Sequence, residues 1–446
     1  MFGSARFTAR LAIVSAFAAG IRIVEAVVVR GDQPTTKVSD EFGYLKSAEL
    51  LAHGHGFINP YWWELDHSKV DSAIHPPFFS IVLAIPSRLG LESVLGYRIF
   101  NGFIGVALVF AIGLLARELA GETAGLVAAV IAALYPHLWI SDTAIMPEAL
   151  FCLLVVLGLL AAYRFRKHPT WLLAAATATA FSLAAMTRSE GVLLVAFVAL
   201  PLALFAPGVD RTTRLKFAGV VCIVAGLIIG PWVVRNLIVF DKTTTMASGT
   251  GHVLAYGNCD ATYSGKFLGY WNDTCALKNW PPGDESVVNE AAQRQGLHYV
   301  RTHLGRQPVV VSARVGRLFE LFRPGQNVSF NAFFERRGVL PSRLALAAYY
   351  LLLAPALYGL YVMRRRGLMI WPIVVITGVV AFIAAITFGV TRYRAPFDAL
   401  LPVLAAVGIM ALVDRRIRPS GRAPDEVLVD HQQSRAGREV AAPVGQ

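Results

Sequence analysis

Long apolar runs broken by short polar gaps dominate the chain. Ten of them, at 11–29, 97–115, 123–139, 147–163, 171–187, 191–205, 217–237, 344–363, 368–388 and 395–413, lie near the ~20 residues a helix needs to cross a bilayer. An eleventh apolar piece, opened by His75-Pro76-Pro77-Phe78-Phe79 and closed near Arg88, is short and starts with two prolines. It reads as interfacial or re-entrant. Between the first and second spans lies a polar, aromatic-rich loop, 30–75. Within it Ser39-Asp40-Glu41-Phe42-Gly43-Tyr44 opens a short amphipathic helix lying on the membrane surface: Ser39 is the N-cap, and Phe42, Leu45, Ala48, Leu51 and Ala52 recur at helical spacing. The segment 240–341 starts with turn chemistry (Ser248-Gly249-Thr250-Gly251, Tyr256-Gly257-Asn258, Trp280-Pro281-Pro282-Gly283). Two helical stretches follow, 285–303 and 309–322. The pattern predicts an all-α integral membrane protein of about ten spans: a core over 1–239 that includes the loop 30–75, an extracytoplasmic segment 240–341, closing helices 342–413, and a disordered cytoplasmic tail 414–446.

Composition agrees with that architecture. Of 446 residues 55% are hydrophobic and 16% charged, too apolar for a soluble chain of this length. The net charge of +12 comes from basic residues set in the gaps between spans, and no basic stripe interleaves with aromatics. Its partner is therefore anionic membrane lipid, and nucleic acid is excluded. Arg6, Arg10, Arg117, the run Arg164-Phe165-Arg166-Lys167, the gap 210–216, Arg364-Arg365-Arg366 and the gap 414–418 fall on one side. The positive-inside rule makes that side cytoplasmic, with both termini, in the cell membrane. Arg22 and Glu25 interrupt the first apolar run and share a helix face, where they could pair near the membrane boundary. With no small-x-small cleavage site before Asp40, this run reads as a retained anchor.

That threading gathers ionisable residues on the extracytoplasmic face: Asp40, Glu41 and His75 in the first loop, Glu148 at the start of a span, Arg188 and Glu190 in a tight turn, Arg235 at a helix end, and Arg392 and Arg394 before the last span. Each alone could snorkel to water or complement a helix dipole. Together they describe an outward site with bases and anion-binding cations. Arginines bind a phosphate through paired, charge-assisted hydrogen bonds, and a neighbouring carboxylate can take a proton from an incoming hydroxyl. Tyr61, Trp62 and Trp63 would either stack on a sugar or form an interfacial belt. No Asp-x-Asp, P-loop or G-x-G-x-x-G motif suggests a nucleotide donor, so the phosphate would arrive on a lipid. There is no metal motif; a divalent cation, if used, would draw on Asp40 and Glu148. Cys152 and Cys222 lie within spans as inert residues. Cys259 and Cys275 share the oxidising side, which predicts a disulfide, whereas their spacing is wrong for zinc.

Several of these pieces, in this order, resemble the GT-C glycosyltransferases of the protein O-mannosyltransferase and aminoarabinose-transferase-like group: Asp40-Glu41, His75-Pro76-Pro77, Pro147-Glu148, Thr187-Arg188-Ser189-Glu190-Gly191, Pro231-Trp232-x-x-Arg235-Asn236 and Arg392-Tyr393-Arg394-x-Pro396. The resemblance implies inverting transfer of a hexose or pentose from a polyprenyl-phosphate donor to a hydroxyl of a glycan, lipid or protein. Asp40 would be the base, and Arg188, Arg235 or Arg392 would contact the lipid phosphate. No large soluble domain follows the last span in this sequence, which leaves the acceptor open. Two rivals remain. A polysaccharide polymerase or ligase would rely on late-loop residues such as His298 and His303. A secondary transporter would place its charges at the midplane of repeat-related helices.

Overall fold

The computed structural model describes residues 4–31 and 33–417. Within them the chain is all-helical, with one isolated bridge between Ile58 and Asp71 and no strand. The tail expected from 414 onward lies, past 417, outside the described residues. The first helix, α1 (Ala5–Val24), runs on into a wider π-helical stretch, Glu25–Arg30. The first loop carries α2 (Asp40–Ala52) and α3 (Pro60–Asp66), and the proline-led piece is α4 (Phe78–Arg88). The bundle continues with α5 (Val94–Ala120), α6 (Glu122–Leu134), α7 (Pro136–Asp142), α8 (Glu148–Lys167), α9 (Trp171–Thr187), α10 (Gly191–Leu194), α11 (Leu200–Leu204) and α12 (Arg211–Val239). The late segment holds α13 (Thr250–Gly257), α14 (Asp260–Tyr263), α15 (Glu285–Thr302), α16 (Gln307–Leu318) and α17 (Pro324–Phe334). The bundle closes with α18 (Val339–Arg365), α19 (Trp371–Ile386) and α20 (Ala395–Ile417).

Six helical stretches are long and apolar enough to cross a membrane: Ala5–Arg30, α5, α8, α12, α18 and Thr391–Asp414. A seventh would be α6 with α7, bent by 62° at the break between them. The cause is local: proline disfavours the helical conformation of the residue before it, and Tyr135, preceding Pro136, is extended at φ −71°, ψ 113°. The other three of the ten expected segments form shorter apolar helices, Trp171–Thr187, Gly191–Leu204 and Trp371–Ile386. α18 and α20 pack closely where Gly359 faces the Leu404 carbonyl and Gly408 faces the Pro355 carbonyl; a Cβ at either would collide with backbone.

Two expectations change. Arg22 does not pair with Glu25. Its guanidinium donates to Asp142 on α7 at 2.5 and 2.8 Å, with both side chains 1% exposed, while Glu25 lies 3.8 Å from Arg30. The helix is regular through Glu25, whose amide still bonds the Ile21 carbonyl, so the pairing changes because each group has another partner: Asp142 for Arg22 and Arg30 for Glu25. The bend at Pro136 meanwhile brings Asp142 to Arg22. Second, the glycine-rich stretch from Thr250 to Gly257, expected as turns, is a helix. Gly251 packs directly on Asn289 of α15 and its amide donates to the Asn289 side chain at 2.6 Å, so tertiary packing overrides the weak helix preference of glycine.

The two ends of the bundle differ in chemistry. At one end Ser4, Arg117, Glu118, Glu122, Arg164 and Lys167 form exposed or half-buried pairs, including Lys167 to Glu118 at 2.6 Å. The first loop, the late segment and every charged site residue named above gather at the other end.

Candidate active site

The site is built on helix ends. Ser39 caps α2 by accepting from the Phe42 amide at 3.3 Å, which places Asp40 and Glu41 in the first turn. Successive residues on a helix are about 100° apart, so the two acids diverge. Asp40 Oδ2 accepts a 3.0 Å hydrogen bond from the Arg392 guanidinium. Glu41 turns toward α1 and α7: it lies 3.8 Å from Arg30 and accepts from the Ile145 amide at 3.3 Å. Asp40 is ringed by protein, yet its side chain remains 42% exposed, as a group on the wall of a depression would be. Burial pushes its carboxyl up, but Arg392, His75 and Arg188 outweigh that and hold it below the usual carboxylate range. It is therefore an ionised acceptor at neutral pH.

Around it the sequence-distant cations converge. Arg392 stands in the short 3₁₀ turn Thr391–Arg394 that leads into α20, and Glu335, at the end of α17, lies 3.8 Å from its Nε. Arg188 closes α9 and donates to Glu148 at 2.5 Å and to Glu190 at 2.6 Å, with the Tyr393 ring 5.1 Å from its guanidinium carbon. His75 stacks on Tyr44 at 4.3 Å and its Nε2 is buried without a hydrogen-bond partner. Burial and the two nearby arginines push its pKa down, against the pull of Asp40. Arg392, Glu148 and the buried Arg337 line one small cavity that runs inward to Asp142 and Asp398.

Asp40, His75, Glu148, Arg188, Glu190 and Arg392 are thus brought together; Arg235 and Arg394 are not among them. Arg235 is spent on the first loop, donating to the Phe57 and Ser72 carbonyls at 3.1 and 3.0 Å and pairing with Asp71 at 2.6 Å. Arg394 is fully buried, bonded to Asp398, His137 and the Leu318 carbonyl, with Tyr349 stacked 3.7 Å from it. Sequence reasoning missed Glu335 and Arg337; no spacing marks them, since they reach the site only through the fold of the late segment. His298 and His303 sit exposed on and just after α15. His303 packs on Tyr299 at 4.0 Å and bonds its carbonyl. Cys259 and Cys275 are bonded to each other, with their Cα atoms 5.7 Å apart. Cys152 is buried, and Cys222 is exposed on α12.

A divalent cation does not fit these residues well. Among the described residues no three His, Cys, Asp or Glu side chains cluster as ligands, and Asp40 and Glu148 are each already paired to a guanidinium.

Residues 74–234 match the family model described as dolichyl-phosphate-mannose-protein mannosyltransferase. The fold is similar to that of the archaeal oligosaccharyltransferase AglB from Archaeoglobus fulgidus, solved with an inhibitory peptide and a dolichol-phosphate. The two share 12% identity over 98% of this chain and 54% of that one, with a TM-score of 0.52. The same organism's oligosaccharyltransferase tethered to an acceptor peptide gives 14% identity over 93% and 50%, TM-score 0.51. ArnT from Cupriavidus metallidurans bound to undecaprenyl phosphate gives 14% over 92% and 79%, TM-score 0.45. The chain spans about half the length of the archaeal enzymes. No curated protein sequence matches it.

Proposed function

We propose that this chain is a multi-pass membrane glycosyltransferase that moves a sugar from a polyprenyl-phosphate donor to an acceptor hydroxyl on the extracytoplasmic face, with inversion at the anomeric carbon. The observation that carries the reading is the Asp40–Arg392 pair: an ionised, accessible carboxylate held 3.0 Å from a guanidinium in a cluster of arginines. As the anomeric carbon–phosphate bond breaks, its electron pair leaves on the lipid phosphate, where Arg392 and Arg188 meet the growing charge. The acceptor oxygen forms the new bond and passes its proton to Asp40. Attack opposite the leaving group inverts the centre. The family match over 74–234 and the dolichol-phosphate named with the similar archaeal structure support the donor class.

The test is sugar transfer by purified protein in nanodiscs, using polyprenyl-phosphate hexose and pentose donors. Transfer from at least one, lost in Asp40→Asn, is expected. Consumption of a nucleotide sugar with no use of any lipid donor would overturn the reading. The polymerase or ligase alternative gains nothing from the geometry, because neither His298 nor His303 contacts the Asp40 cluster.

A further inference from the structure

Arg392 faces two carboxylates. Its Nη2 donates to Asp40 at 3.0 Å, the one protein hydrogen bond of this guanidinium among the described residues. Its Nε is buried without a hydrogen-bond partner, 3.8 Å from Glu335. The other oxygen of Glu335 stands 3.9 Å from Arg337, whose side chain is 8% exposed and lines the same small cavity as Arg392. Glu335 is thus set between two guanidiniums and beyond hydrogen-bond reach of both. The chain around it fixes its place. The Thr391 hydroxyl donates to Asn331 at 2.9 Å, tying the last turn of α17 to the residue before Arg392. Arg336, one residue past Glu335, donates to the Pro34 carbonyl at 2.9 Å and anchors the same turn to the loop that carries Asp40. Between Glu335 and Arg337 the chain bends through Arg336 in the left-handed conformation, φ 50°, an uncommon one for a residue with a side chain.

We propose that Glu335 is a positioning residue for the transfer: it shares Arg392 with Asp40, so that guanidinium and carboxylate are not locked into their mutual pair when the substrates arrive. The inference rests on the transferase reading above. A guanidinium facing one carboxylate alone forms a charge-assisted pair that spends its donors and makes the acid a poorer proton acceptor. A second carboxylate at 3.8 Å opposes both effects. It is too far away to take an N–H, yet Coulomb attraction falls only as the inverse of distance and is still felt there. Arg392 therefore keeps N–H groups for the donor phosphate, and its pull on Asp40 is diluted. A carboxylate that served only to stabilise two buried arginines would bond them directly, since close geometry is what offsets desolvation. In the step the acceptor's O–H proton passes to Asp40 and its oxygen bonds the anomeric carbon. The electrons of the old bond leave on the lipid phosphate, and Glu335 neither gives nor takes a proton.

Single-turnover sugar transfer by the full chain in nanodiscs tests this, with the polyprenyl-phosphate donor that wild type uses and with binding of polyprenyl phosphate measured alongside. Glu335→Gln keeps size and breaks no hydrogen bond among the described residues, so folding, checked by the thermal midpoint, is at little risk. Its rate should fall about threefold to tenfold, the order that a weaker proton acceptor gives, while polyprenyl phosphate binds within about twofold of wild type or more tightly. Glu335→Asp, which restores the charge on a shorter stem, should lie between Glu335→Gln and wild type. A wild-type rate in Glu335→Gln, no recovery in Glu335→Asp, or polyprenyl-phosphate binding that weakens along with the rate would each overturn the positioning role. Those results leave the transferase reading standing. Unchanged sugar transfer by Asp40→Asn, or none by wild type from any lipid donor, would defeat that reading and this inference with it.

Discussion

At the scale of single residues, Asp40 and Glu41 are chemically alike neighbours that the cap at Ser39 sends to different partners. Asp40→Asn keeps size and removes the charge that accepts the proton. Turnover should fall about 10²–10⁴-fold, the usual worth of general-base assistance, with donor-lipid binding nearly intact. Glu41→Gln should cost much less, and single-turnover rates of the two variants compare them directly. Arg392→Lys keeps the charge but loses the planar fork that serves Asp40 and a phosphate together, so its rate should fall toward that of Arg392→Ala. Wild-type rates for both would make Arg392 a mere anchor. The acidic pair, His75, Glu148, Arg188 and Arg392 were legible because each stands at an end of an apolar run. Arg394 was legible as a charge but not as a buried one. In a 3₁₀ turn residues two apart point about 240° apart, so Arg392 faces the site while Arg394 faces Asp398. Glu335 could not be read, because only the packing of α17 delivers it to Arg392.

At the scale of elements, two contacts set the site's walls. The Arg22–Asp142 pair locks α1 to the bent α7, and Gly105 on α5 leaves the room that the Asp142 carboxyl occupies. Removing one partner strands a buried charge, so Asp142→Ala should lower stability by roughly 3–5 kcal/mol. The double change Arg22→Met with Asp142→Leu should recover much of it, read as thermal midpoints in one detergent. The segment 123–139 reads in the sequence as one span, so neither the bend at Pro136 nor the Arg22 partner of Asp142 was legible in hydrophobic spacing. The other contact is Glu285, at the start of α15, which accepts from the Ala73 amide at 2.8 Å and the Ser248 hydroxyl at 2.9 Å. Burial raises its pKa to about 7, although those donors and Arg235 pull the other way. A carboxyl whose folded pKa is raised binds more protons folded than unfolded. Its stabilisation is complete below the unfolded pKa near 4.5 and is lost as pH climbs through about 7. The thermal midpoint of wild type minus that of Glu285→Gln should therefore fall between pH 5 and 8. A flat difference would show that its hydrogen bonds keep this carboxylate ionised.

For the whole molecule, the division of charge between the ends of the bundle predicts an orientation. Arg117, Arg164 and Lys167 crowd one end with Ser4 of the N-terminal cap, and α18 ends among Arg364, Arg365 and Arg366. The other end carries Asp40, the disulfide and the late segment, which agrees with a positive-inside arrangement whose oxidising face is the site face. The alternation of spans was legible in hydropathy; the short helices α9, α10, α11 and α19 blur the count because they fall below a full bilayer crossing. Orientation is tested with an impermeant thiol reagent on intact cells, after Cys222 is replaced so that no exposed native thiol remains. Single cysteines at Arg301, exposed on α15, and at Arg365, exposed at the end of α18, report the two faces. Ser248, although in the late segment, is buried and would label poorly. Arg301→Cys should react before the cells are opened and Arg365→Cys only after. The reverse order would turn the site toward the cytoplasm, where a nucleotide-activated donor is at hand, and would remove the reason for a lipid-borne phosphate.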